Sequence, residues 1–115
     1  MTTTFDERER AAERRFVQEE EARFHARNRR NQLLAAWACE RMRLTGRAAD
    51  GYVTSFVEGG VTTPDEALIA RLHAELAAAG IEETIARLRA EMSRCAALAQ
   101  AERRGGLALD QGSPV

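Results

Sequence analysis

Residues 63–80, Thr-Pro-Asp-Glu-Ala-Leu-Ile-Ala-Arg-Leu-His-Ala-Glu-Leu-Ala-Ala-Ala-Gly, decide the fold class. Thr63, Pro64 and Glu66 stand where an N-cap, a proline at the first helical position and a capping-box carboxylate are wanted. Leu68, Ile69, Leu72, Leu76 and Ala79 then recur at helical spacing, and Gly80 follows where a left-handed residue closes a helix. The pattern predicts a helix from Pro64 to Ala79.

A second stripe begins almost at once. Ile81, Ile85, Leu88, Met92, Cys95 and Ala99 share a face, with Arg87, Arg89, Glu91, Arg94 and Glu102 largely outside it, so a helix is expected from about Glu82 to Arg104. The short Gly80-Ile81 link makes these two helices antiparallel neighbours. Gly105-Gly106 ends the pattern and leaves 105–115 as a disordered tail. Upstream, Ala48, Tyr52, Val53, Phe56 and Val57 fall on one face of a helix from about Arg47 to Glu58. Gly51, Val53, Thr54 and Val57 are poor helix formers, so packing has to hold it. Asn31 to Leu44 places Leu34, Ala35, Ala38, Cys39 and Met42 on one arc and Leu33, Trp37 and Leu44 on another, which suits a central helix with several neighbours. Trp37, the only tryptophan, is the expected keystone, and Trp37→Ala should cost about 3 to 5 kcal/mol.

Composition bounds what such a chain does. Its 115 residues, 44% hydrophobic and 5% aromatic, have room for one core built of small aliphatics. The expectation is an all-α protein: an N-terminal arm at 1–17, a small four-helix bundle at 18–104, and the tail. A formal net charge of −1 argues against nucleic acid as a partner. All 17 basic residues are arginine, which excludes a catalytic lysine and the lysine-bearing nucleotide loop. The longest apolar run, Leu33 to Cys39, is far short of the roughly 20 residues that cross a bilayer, so no direct membrane insertion is expected. The opening residues show no secretory h-region, and a cytoplasmic location is expected. Cys39 and Cys95 lie far apart inside apolar patterns and are expected as buried free thiols. His25 and His73 lack metal-ligand spacing, Glu19, Glu20 and Glu21 point around a helix, and no nucleophilic constellation can be placed. No catalytic residue, metal or cofactor is assigned.

The N-terminal stretch is different. Residues 6–30 hold eight arginines and seven acids. Thr4 and Glu7 form a second capping box, Asp6, Glu7 and Glu9 lie at the start, and Arg27, Arg29 and Arg30 lie at the end, as the helix dipole favours. Pairs Asp6/Arg10 and Glu19/Arg23 add about 0.2 to 0.5 kcal/mol each, too little to secure a long lone helix. Phe5, Ala12 and Phe16 fall within about 40° of one another at 100° per residue, while Phe24 is rotated away. With so thin a stripe the arm is a mobile, conditional helix that orders on a partner. Phe16, Val17 and Phe24 are the first residues able to anchor it to the bundle.

Aromatic anchors among Arg8, Arg10, Arg14 and Arg15 have the composition of an interface; the competing view folds Phe5 and Phe16 back onto the bundle. Arg23, Arg27, Arg29 and Arg30 either meet a phosphate or an acidic protein surface, or complete helix electrostatics against Glu19 to Glu21.

The opening Thr-Thr-Thr-Phe-Asp-Glu-Arg-Glu-Arg-Ala with Phe16, the block Arg29-Arg30-Asn31-Gln32-Leu33-Leu34-Ala35-Ala36-Trp37-Ala38, and Ala78-Ala79-Gly80-Ile81 together resemble the zeta inhibitor subunit of alpha-proteobacterial F-type ATP synthases. The resemblance runs from about Thr3 to Arg104. It implies a four-helix bundle with a mobile inhibitory arm, no enzymatic activity, and a location at the inner membrane through ATP synthase. The arm would insert between the alpha and beta subunits of the ATPase head and block ATP hydrolysis, with the bundle bracing it from outside. Phe5, Asp6, Arg8, Glu9 and Phe16 match the inhibitory opening; with Arg10, Ala12, Arg14 and Arg15 they make the expected partner-binding set of a monomer. The alternative is a helical adaptor that uses the same arm on another partner.

Overall fold

The computed structural model describes residues 3–112, with side chains from 4 to 106. Four helices follow one another: α1 (Thr3–Met42), α2 (Gly46–Gly60), α3 (Asp65–Ala78) and α4 (Ile85–Gly112). No strand occurs among the described residues. The chain is all-helical, as the periodicities require. α1 is one uninterrupted helix of 40 residues. At 1.5 Å per residue it is about 60 Å long, and it sets the longest dimension of a molecule measuring 67 × 36 × 26 Å. The backbone therefore passes positions 17–18 without a break: the arm and the first bundle helix are one rod.

Two helix ends use the same device. Gly80 is left-handed at φ 81°, its N–H donates to the Ala77 carbonyl at 2.9 Å, and the Ile81 N–H reaches back to Leu76 at 2.8 Å. This is a Schellman closure of α3, with apolar Ile81 following it. α1 ends identically but without glycine. Arg43 is left-handed at φ 58°, donates to Glu40 at 3.2 Å, and the Leu44 N–H donates to Cys39 at 2.9 Å. An L-residue with a Cβ is strained there.

The helix starts differ from the sequence expectation. Pro64, extended at ψ 153°, occupies the N-cap of α3, which begins at Asp65. The Thr63 hydroxyl donates instead to the Gly59 carbonyl at 2.6 Å, satisfying the end of α2, so the capping box does not form. Thr4 is likewise inside α1 and not at its cap. The hydroxyl that caps is Thr84, which accepts from the Arg87 N–H at 3.1 Å and moves the start of α4 from Glu82 to Ile85. At the other end α4 continues through Gly105 and Gly106 to Gly112, where the glycine pair was expected to stop it. Neither is left-handed; an interior glycine costs about 1 kcal/mol relative to alanine, which weakens a helix without ending it. Residues 113–115 of the expected tail lie outside the described residues.

α1 packs against all three other helices, and α3 packs along α4. From α1 the core takes Leu34, Ala35, Ala38 and Cys39; from α2, Phe56; from α3, Leu68, Ile69, Leu72 and Leu76; and from α4, Leu88, Met92, Cys95 and Ala99. The small residues of α1 let its neighbours approach closely. Phe56, fully buried, is the largest side chain at the centre; Tyr52 stacks on it at 6.1 Å and the Arg71 guanidinium lies 5.3 Å from its ring. Trp37 is not the keystone: it is only partly buried, packed on the rim of this cluster. Its wide arc is the outer one, and α2 supplies the aromatic that fills the middle. Glu91, placed outside the stripe by its charge, is buried and paired with Arg94 one turn on.

Candidate partner-binding arm

Positions 4–21 of α1 are exposed except Ala11, which is intermediate. Phe5 is 71% and Phe16 64% exposed, with Val17 and Phe24 about half exposed. Phe5 and Phe16 do not fold back onto the bundle. On a continuous helix Phe5, Ala12 and Phe16 hold a common line spanning about 16 Å. Arg8 and Glu9 flank that line, and Arg15 borders it. Asp6 lies a full residue turn to one side.

Arg10 and Arg14 are not beside the aromatics. At 100° per residue they fall on the opposite face, a solvent-exposed strip shared with Glu7, Val17, Gln18 and Glu21. The nine residues singled out thus divide into an aromatic edge and a charged back. Neither of the expected pairs Asp6/Arg10 and Glu19/Arg23 appears among the ion pairs of the described residues; Arg23 instead meets Glu20 at 3.0 Å.

Within the second arginine cluster Arg23 completes helix electrostatics with Glu20, whereas the other three arginines find partners outside α1. Arg30 forms a two-pronged bond to Asp65 at 2.9 and 3.1 Å, and also donates to the buried Asn31 side chain. Arg27 donates to the Thr63 carbonyl and lies 3.7 Å from the same Asp65. Arg29, on the other flank of α1, grips Glu102 of α4 at 2.7 and 3.0 Å. The bond from Arg30 holds the Asp65 carboxyl below its usual range, and that from Arg29 does the same for Glu102. Arg41 adds a contact to Glu83 at 2.6 Å. These arginines tie α1 to the bundle. Sequence spacing could not show this, because every acidic partner but Glu20 comes from another helix or its preceding loop.

Both cysteines are free and buried; burial first, then Asp50 at Cys39 and Glu91 at Cys95, pushes each thiol up and keeps it protonated. His25 and His73 are exposed. No group of three or more metal-ligating side chains gathers among the described residues, and no described helix is long and apolar enough to cross a membrane.

A helical bundle that carries a projecting, charged helix edged with exposed phenylalanines has the composition of an interaction surface. Its family is more specific. A family model described as ATPase inhibitor subunit zeta matches residues 1–102, and the chain belongs to that family. No curated protein and no solved structure matches it significantly.

Proposed function

We propose that this chain is a non-enzymatic inhibitor of ATP hydrolysis by the F-type ATP synthase, and that its arm enters a catalytic interface between alpha and beta subunits of the head. Membership of the zeta inhibitor family supports an ATPase partner. The observation that carries the arm's role is the exposure of Phe5 and Phe16 on a helix whose own bundle leaves them unburied. Fully burying a phenylalanine is worth about 1.5 to 3 kcal/mol, so two of them supply a binding energy the free protein does not use.

Phe5, Ala12 and Phe16 form the apolar wedge; Arg8, Glu9 and Arg15 rim it. Arg10, Arg14 and Asp6 face other directions, and a helix inside a cleft is contacted on more than one side, so they pair with its opposite wall. Ordering a conditional helix opposes binding, but α1 is already continuous with a packed bundle helix and propagates from a formed nucleus. The protein acts as a monomer, with neither nucleic acid nor cofactor, from the cytoplasmic side of the inner membrane.

The test is ATP hydrolysis by the cognate head with added full-length protein and with a chain beginning at Val17. The full chain should slow turnover and the shortened one should not. Equal inhibition by both would remove the arm from the mechanism. Absence of any binding would favour an adaptor for a different partner.

A further inference from the structure

The apolar core ends abruptly along α1. Asn31 and Leu34 are fully buried, while Phe24 is about half exposed and residues 12–21 are exposed. Between these limits lies one turn, residues 27–30, and it is held by charge. Arg27 and Arg30 reach Asp65 at the start of α3, and Arg29 reaches Glu102 on α4. The two carboxylates stand on opposite flanks of α1, so the helix is gripped from both sides one turn before its first buried residue.

This grip also bears on direction. Phe5, Phe16 and Arg27 are spaced eleven residues apart, which on an α-helix is three turns with only about 20° of drift. The aromatic edge therefore projects in line with the flank that meets Asp65. Any loosening at 27–30 frees both the helicity of the arm and the side on which the phenylalanines are presented.

We propose that Arg27, Arg29 and Arg30, with Asp65 and Glu102, are positioning residues of the inhibitor: they pin α1 beyond the core, seed the helical arm, and aim its aromatic edge. This rests on the arm being the inhibitory element. The two carboxylates are about equally exposed, but the Arg30 side chain is only 12% exposed and that of Arg29 nearly half, so the α4 contact is the more strongly screened by salt.

The test uses the full chain and the variants Arg29→Glu, Glu102→Arg and the double swap. Each single change places like charges together and should lower amide-exchange protection over residues 20–29 by about three- to tenfold, with a parallel rise in the half-inhibitory concentration toward the ATPase head. The swap restores the attraction and should restore both readouts, which mere loss of stability would not do. Unchanged protection in the single variants, or a swap that rescues neither readout, would overturn the proposal. So would lost protection with undiminished inhibition. If the unaltered chain fails to inhibit at all, the inhibitory reading fails by itself, and the exchange data alone decide whether the pin exists.

Discussion

The two ends of α1 obey opposite rules although they belong to one helix. From Asn31 to Met42 the helix shows small side chains to three neighbours: Ala35 and Ala38 are buried beside Leu34, and the largest residue, Trp37, stays at the rim. From Phe5 to Phe24 its large aromatic side chains stay about half exposed or more. In a structure stabilised by burial, apolar bulk should sit where neighbours are dense. Its displacement onto the sparsest segment separates the residues that fold this protein from those proposed to act for it.

The sharpest way to break this comparison is to truncate one apolar side chain at each end. Leu34→Ala should destabilise the protein by about 2 to 5 kcal/mol in denaturant or thermal unfolding. Phe24→Ala, which removes more carbon, should stay within about 0.5 kcal/mol. Similar losses would mean that the arm shares the core's stability and that the division of α1 is wrong.

A smaller effect of opposite sign is expected at the junction with α2. Arg43→Gly relieves a left-handed L-residue and should raise stability by up to about 1 kcal/mol, the gain being reduced by the greater freedom of glycine in the unfolded chain. It should leave inhibition untouched. A lower melting temperature would show that the Arg43 side chain contributes more than its backbone costs.

The smallest effect concerns acid. Arg30 lowers the Asp65 carboxyl in the folded state, so its contribution is fully present above the unfolded value, about 4, and disappears as the pH falls through the lower folded value. Stability measured against pH should therefore fall less steeply below about pH 4 in Asp65→Asn than in the parent. Parallel profiles would remove Asp65 from the electrostatic pin.

The same division explains what the sequence made legible. Periodicity identifies a helix wherever burial repeats along it, and Leu68, Leu72, Leu76, Leu88, Met92 and Cys95 do so; Gly80 is equally plain because its closure is local. Several misplacements turn on partners that the helical spacing does not name. Thr63 has the spacing of a cap, but the end of α2 takes its hydroxyl. Trp37 has the size of a keystone, but Phe56 reaches the centre first. Arg27, Arg29 and Arg30 look like a free basic cluster until α3 and α4 bring Asp65 and Glu102 to them. On the arm, spacing shows the Phe5, Ala12 and Phe16 line, and the same 100° step turns Arg10 and Arg14 to the opposite face.

The most direct measurement is the paired effect of Phe16→Ala on inhibition and on melting temperature. Removing one wedge should weaken inhibition of the ATPase head by about ten- to a hundredfold, equivalent to roughly 1.4 to 2.8 kcal/mol of binding, with the melting temperature unchanged. A lowered melting temperature with inhibition intact would place Phe16 in the core and contradict the account.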